Sequence, residues 1–155
     1  MNHLGFIPLV FTLTLSALAE KPLFLWTDHY EITNVPSPPQ VDTQVGGLAL
    51  MKNGDIVACF HRGEVMFYNP KSKQWKLFAS GLHEPLGIYA EEEGTILVIQ
   101  RAELTRLHDK DGDGLADFYE VVCNDWGVSG NYHEFAFGLV KDSKKNIYLT
   151  RGTAS

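Results

Sequence analysis

The 155-residue chain is 45% hydrophobic and 21% charged, a composition that excludes disordered and fibrous classes and supplies enough apolar side chains for a buried core. Thirteen Lys and Arg against nineteen Asp and Glu leave a formal charge of −6, so the chain offers no basic footprint for a phosphate backbone and points away from nucleic acid. Two cysteines, Cys59 and Cys123, lie in neither a CxxC nor a CxxCH arrangement, which leaves out a disulfide framework, a thiolate zinc site and an attached haem.

Residues 4–18 carry no charge and end in Ala17-Leu18-Ala19 before Glu20. A short apolar run closed by a small-x-small triplet has the form of a secretory signal, and residues 1–19 are read as one, cut after Ala19. The run is shorter than the roughly 20 residues a membrane span needs, and it contains Pro8. The expected location is therefore outside the cytoplasm, periplasmic or extracellular. Residues 20–45 hold Pro36, Pro38 and Pro39, whose missing N–H donors and fixed φ suit an extended lead-in. Trp26 and Tyr30 are the residues expected to pin it.

From residue 46 to 155 the chain repeats itself. Gly47-Leu48-Ala49 leads to Ile56-Val57-Ala58, Gly87-Ile88-Tyr89 to Ile96-Leu97-Val98, and Gly138-Leu139-Val140 to Ile147-Tyr148-Leu149. In each pair a polar turn separates two apolar runs, the second run begins nine residues after the glycine, and an arginine follows it: Arg62, Arg101, Arg151. Short apolar runs bounded by turn residues read as strands. Two further strands complete each of the first two units, Val65 to Tyr68 with Trp75 to Ala79, and Leu104 to Leu107 with Phe118 to Val122. The glycines are spaced 40 and then 51 residues apart, which suits blades of four short strands. The expected fold is all-β: an amino-terminal fragment, about two and a half blades, of a β-propeller that is six-bladed when complete. A β-sandwich is the structural alternative.

The most specific local pattern is acidic. Asp109-Lys110-Asp111-Gly112-Asp113-Gly114, followed after five residues by Glu120, fits D-x-[DN]-x-[DN]-G-x5-E, the spacing of a loop that wraps a calcium ion. Asp109, Asp111 and Asp113 supply alternate carboxylates, the Leu115 carbonyl the seventh position, Asp117 the ninth and Glu120 the twelfth. The flanking runs read as strands, so the loop is expected at a hairpin tip with a structural role. A solvated acidic turn is the competing reading, set against the mutual repulsion of carboxylates this close.

Familiar catalytic motifs are absent. His83-Glu84 and His133-Glu134 lack the second histidine of HExxH, and Gly127-Val128-Ser129-Gly130 lacks the spacing of a nucleophile elbow. His61, His83 and His133 remain as histidines to place. His133 stands out because it lies in a glycine-containing connection just before the first strand of a unit, where propeller loops border the channel mouth.

The run from Glu103 through the acidic loop to Asp117, together with Trp126-Gly127-Val128-Ser129-Gly130-Asn131-Tyr132-His133-Glu134-Phe135-Ala136-Phe137-Gly138-Leu139, resembles the large exported bacterial propeller proteins known as membrane-bound dehydrogenases, relatives of the quinoprotein glucose/sorbosone dehydrogenases. The resemblance spans roughly residues 46–152. It implies pyrroloquinoline quinone as cofactor beside calcium, a small sugar or alcohol as substrate, a cytochrome c as electron acceptor, and His133 as the base that takes the substrate hydroxyl proton. Two departures stand: Lys141-Asp142-Ser143 replaces the Gly-Pro-Asp turn of the better-known enzymes, and Arg151-Gly152 replaces their Gly-Asp. The reading is a dehydrogenase propeller fragment; the alternative is a non-catalytic, calcium-stabilised propeller that binds a polysaccharide or a protein.

Overall fold

The computed structural model describes residues 25–92 and 94–152; the expected signal over residues 1–19 lies outside them. The chain divides into two compact units, residues 1–34 and 35–155. In the first, the described residues contain one 3-10 turn, Trp26–Asp28, closed by the Asp28 N–H on the Leu25 carbonyl at 2.9 Å. Among the described residues no helix is long and apolar enough to cross a membrane.

The second unit is all-β. Strands β1 (Val45–Leu50), β2 (Ile56–Phe60), β3 (Val65–Asn69) and β4 (Gln74–Ala79) form one antiparallel sheet in chain order. Strands β5 (Gly87–Glu92), β6 (Thr95–Ile99), β7 (Leu104–His108) and β8 (Phe118–Cys123) form a second of the same order, and β9 (Ala136–Lys141) pairs with β10 (Ile147–Arg151) in a third. The described strands do not close into a ring. Both four-stranded sheets break register at the same place: β3 skips Phe78 between Val65 and Met66, and β7 skips Val122 between Leu104 and Thr105. A shared bulge shows that the sequence repeat is a structural repeat, since each bulge re-aims its outer strand in the same way.

The period-2 alternation of strand side chains explains the layering. On β2, Val57 and Cys59 point into a core shared with Ile88, Ile96, Val98 and Leu107 of the second sheet, while Ala58 and Phe60 point to the opposite face with Met66 and Trp75. On β6, Ile96 and Val98 face the first sheet, and Leu97 and Ile99 face Ala136, Leu139 and Leu149 of the third. Strands buried on both faces read as unbroken apolar runs, which is why β2 and β6 contain scarcely a polar residue. Two residues just before the strands meet the outer face of the first sheet: Val41 packs there, and the Trp75 indole donates to the Pro36 carbonyl at 2.6 Å. Cys59 is fully buried, and desolvation pushes its thiol up to about 12, so it acts as a core side chain and not as a nucleophile.

The repeated glycines mark where successive sheets approach. A Cβ on Gly87 would lie 2.6 Å from the Gly138 carbonyl oxygen and from Ile99 Cγ2, and one on Gly47 would lie 3.1 Å from Gly87 Cα. The Gly138 N–H donates to the Leu86 carbonyl at 3.2 Å. The first strands of the three sheets therefore converge, backbone against backbone, along one line.

Candidate functional site

The acidic residues lie in the β7–β8 connection, a hairpin tip as the sequence predicts. Asp109 caps the loop with both oxygens: Gly112 N–H donates to Oδ1 at 2.8 Å and Gly114 N–H to Oδ2 at 2.9 Å. Asp117 takes the N–H groups of Lys110 (2.7 Å) and Asp111 (3.3 Å), Asp111 takes that of Asp113 (3.1 Å), and Asp113 takes that of Leu115 (2.7 Å). These turns draw the carboxylates inward, and ligand oxygens of Asp109, Asp111 and Asp117 lie within 4.8 Å of one another. Hard oxygen donors gathered at this separation fit calcium chemistry. Gly114 has φ +86°, so the sixth loop position favours glycine for its conformation.

Of the five predicted carboxylate ligands, Asp109, Asp111 and Asp117 converge, whereas Asp113 and Glu120 are engaged elsewhere. Asp113 turns its carboxylate to the Leu115 N–H, and Glu120 sits on β8 directly opposite Arg106. Its Oε2 is 2.9 Å from His108 Nε2 and 3.1 Å from Arg106 Nη1. The bond to His108 first, and that to Arg106 next, hold the Glu120 carboxyl below its ordinary range.

The loop also docks on the first sheet. Lys76 Nζ donates to the Asp113 carbonyl at 2.9 Å, and the Ala116 N–H donates at 2.7 Å to the carbonyl of Phe78, the bulged residue of β4. Tyr119 bonds Ser80 twice, as donor to its carbonyl at 3.1 Å and as acceptor from its N–H at 3.2 Å.

His133 lies at the opposite end of the sheets, in the connection before β9. It is exposed, its N–H donates to Asn131 Oδ1 at 3.0 Å, and its ring meets Tyr132 edge-on at 5.7 Å. At this end the repeated arginines find a shared explanation, which the sequence shows only as a recurrence. Each pairs with an acid that precedes the first strand of its own sheet: Arg62 with Asp42 at 3.1 Å, Arg101 with Glu84 at 2.7 Å, and Arg151 with Glu134 at 3.7 Å. Arg101 also donates to the Asn131 carbonyl and Arg151 to that of Gly127, both at 2.6 Å. Pyrroloquinoline quinone carries three carboxylates and needs cations to hold them. The three arginines at this end are each paired with an acid, Asp42, Glu84 and Glu134.

A family model described as "Domain of unknown function (DUF7133)" matches residues 71–155. Among solved structures, the chain is similar to the "extracellular domain of the putative one component system BT4673 from B. thetaiotaomicron", at 22% identity and a TM-score of 0.44, over 67% of this chain and 13% of that one. The chain thus spans a small part of the length of that neighbour. No curated protein matches the sequence.

Proposed function

The chain belongs to the DUF7133 family, and from that premise we propose that it folds as blades of an exported β-propeller, with a calcium-binding β7–β8 tip and a sugar- or alcohol-binding face around the loop that carries His133. The observation that carries the metal reading is the convergence of Asp109, Asp111 and Asp117 at a hairpin tip. Asp113, the Leu115 carbonyl and Glu120 complete the shell in the sequence pattern, Glu120 by leaving Arg106 and His108. A propeller accounts for two equal four-stranded meanders and the start of a third, stacked face to face with their first strands converging. Export accounts for the apolar stretch ending at Ala19.

The resemblance to quinoprotein glucose/sorbosone dehydrogenases supplies the chemistry of the face. There His133, exposed and beside Tyr132, accepts the proton of a substrate hydroxyl, and a cytochrome c takes the electrons that leave the enzyme. One observation favours the alternative of binding without turnover: Tyr132, 65% exposed, presents an apolar ring beside His133, the kind of surface that a sugar ring stacks on.

Calorimetric titration with calcium chloride tests the metal reading, and absence of both heat and thermal stabilisation removes it. For the face, turnover of a sugar or alcohol by the full-length protein, supplied with pyrroloquinoline quinone and an artificial acceptor, should fall by about 100- to 10,000-fold in His133→Gln. Sugar binding without any turnover leaves the non-catalytic reading in its place.

A further inference from the structure

Between the second and third sheets, at the end away from His133, lies a cavity of about 490 Å³ that neither the acidic tip nor the His133 loop lines. Tyr89 and Glu91 of β5 and Thr95 of β6 border it on one side, and Lys141 at the end of β9, with Asp142 and Lys145 of the following turn, on the other. Its size falls in the range that small organic ligands occupy.

The charged acceptors of this lining are already engaged. Glu91, 11% exposed at its side chain, receives Arg106 Nε on Oε2 and Lys141 Nζ on Oε1, both at 2.6 Å. Asp142 is held by its own turn: Oδ1 accepts the N–H groups of Lys144 (2.9 Å) and Asn146 (2.8 Å), and Oδ2 accepts Asn146 Nδ2 (2.9 Å) and the Tyr148 hydroxyl (3.0 Å). A carboxylate has about four lone-pair sites, so Asp142 has none left for a guest. His108 also borders the cavity, with its Nε2 turned to Glu120.

The donors are not matched in this way. Lys141 gives one of its N–H groups to Glu91, and an ammonium carries three. Among the described residues none bonds the Lys145 ammonium or the hydroxyls of Tyr89 and Thr95. A cavity with filled carboxylates and free ammonium and hydroxyl donors selects a ligand that brings acceptors, and charge-assisted bonds favour an anion over a neutral one. A metal cation is poorly served for the same reason, because hard cations need carboxylate or carbonyl oxygens. An inorganic anion would fill only a small part of the space. The Tyr89 ring, with Lys141 Nζ 5.7 Å from its centre, offers the apolar surface that a carbon body needs.

We propose that this cavity binds a small organic carboxylate, with Lys141 and Lys145 supplying the positive charge, the Thr95 hydroxyl a further donor, and the Tyr89 ring the surface under the carbon body. The site stands apart from the His133 face and does not depend on how that face is read.

Chemical-shift titration of the full chain with sodium succinate tests it. Saturable shifts are expected at the amides of Thr95, Lys141 and Lys145. Lys145→Gln should weaken binding by about tenfold or more, and Thr95→Val by less. Lys145 is exposed, so its replacement leaves the fold intact and the comparison decisive. His133→Gln should bind succinate as wild type does, and a loss there would place the anion at the other end of the sheets and overturn the site. Absence of saturable shifts, or Lys145→Gln binding as tightly as wild type, also overturns it. Inorganic phosphate acting on the same amides as tightly as succinate would show a site for charge alone and remove the organic ligand.

Discussion

Removing one carboxylate from the acidic tip separates a metal site from a solvated turn by its dependence on calcium. Asp109→Ala deletes the acceptor of two loop N–H groups, at 2.8 and 2.9 Å. Such bonds at a half-exposed position contribute about 1–2 kcal/mol together. The same change removes a charge whose oxygen lies within 4.8 Å of oxygens on Asp111 and Asp117. Repulsion at that distance in water is about 1 kcal/mol per pair before salt screening. The two effects nearly cancel, so without calcium the variant should melt within a few degrees of wild type. With calcium at about 100 times its dissociation constant, linkage stabilises the wild type by about 2.7 kcal/mol, or roughly 10 °C in a unit of this size. Most of that gain should vanish in the variant. Differential scanning calorimetry in EDTA and in calcium chloride reads all four numbers. If Asp109→Ala keeps the full calcium shift, or loses as much stability in EDTA as in calcium, the tip is a hydrogen-bonded turn and the metal argument fails.

Three other outcomes follow from particular contacts. Asp117→Asn should weaken calcium binding more than Glu120→Gln does, because Asp117 stands in the converging trio whereas Glu120 is engaged by His108 and Arg106; equal or reversed losses in calorimetric titration would show that Glu120 moves in to close the shell. Gly87→Ala places a methyl 2.6 Å from the Gly138 carbonyl oxygen, and overpacking against backbone should cost about 1–3 kcal/mol, read as a lower urea midpoint; an unchanged midpoint would mean that the sheets part freely. Burial alone would raise the Glu91 carboxyl, but hydrogen bonds from Arg106 and Lys141 outweigh it and hold it below its ordinary value. Its folded value thus lies below the unfolded one, about 4.3, so its contribution is complete above that pH and is lost as pH falls through the folded value. Glu91→Gln should flatten the fall of stability below about pH 4.3, and an unaltered slope would show the pair to be inert.

Much of this architecture is legible in the sequence because its determinants are local. Apolar runs such as Ile56 to Phe60 and Ile96 to Ile99 are bounded by turn residues, and burial on both faces leaves them no polar positions to confuse the reading. The acidic loop is legible for the same reason, since its twelve positions are contiguous and its turns are made by its own side chains. Glu120 shows where local reading ends. Its place at the twelfth position makes it a ligand in the pattern, yet the β7–β8 register sets it opposite Arg106, and register belongs to the pairing of two strands. The acids that bind Arg62, Arg101 and Arg151 were hidden likewise, because each precedes the strand pair that its arginine follows. The recurrence of the arginine was visible, but its cause was not. Trp75, on a strand facing Pro36 and Val41, holds the Pro36 carbonyl, a contact that no local pattern names.

The position of the acidic tip connects its chemistry to the stacking of the sheets. The loop touches β4 through backbone atoms, the Asp113 carbonyl and the Ala116 N–H, and backbone atoms are placed only as well as the loop that carries them. In the loop, that placement depends on carboxylates that repel one another while they hold neighbouring N–H groups. A divalent cation among Asp109, Asp111 and Asp117 turns this repulsion into attraction and so fixes the very segment that meets Lys76 and the bulged carbonyl of Phe78. The bulge matters here because it breaks the ladder at Phe78 and leaves its carbonyl to the Ala116 N–H. Calcium bound at the tip of the second sheet would therefore stiffen the outer strand of the first, so that amide exchange along β4 should slow on adding calcium even though no β4 side chain belongs to the proposed metal shell.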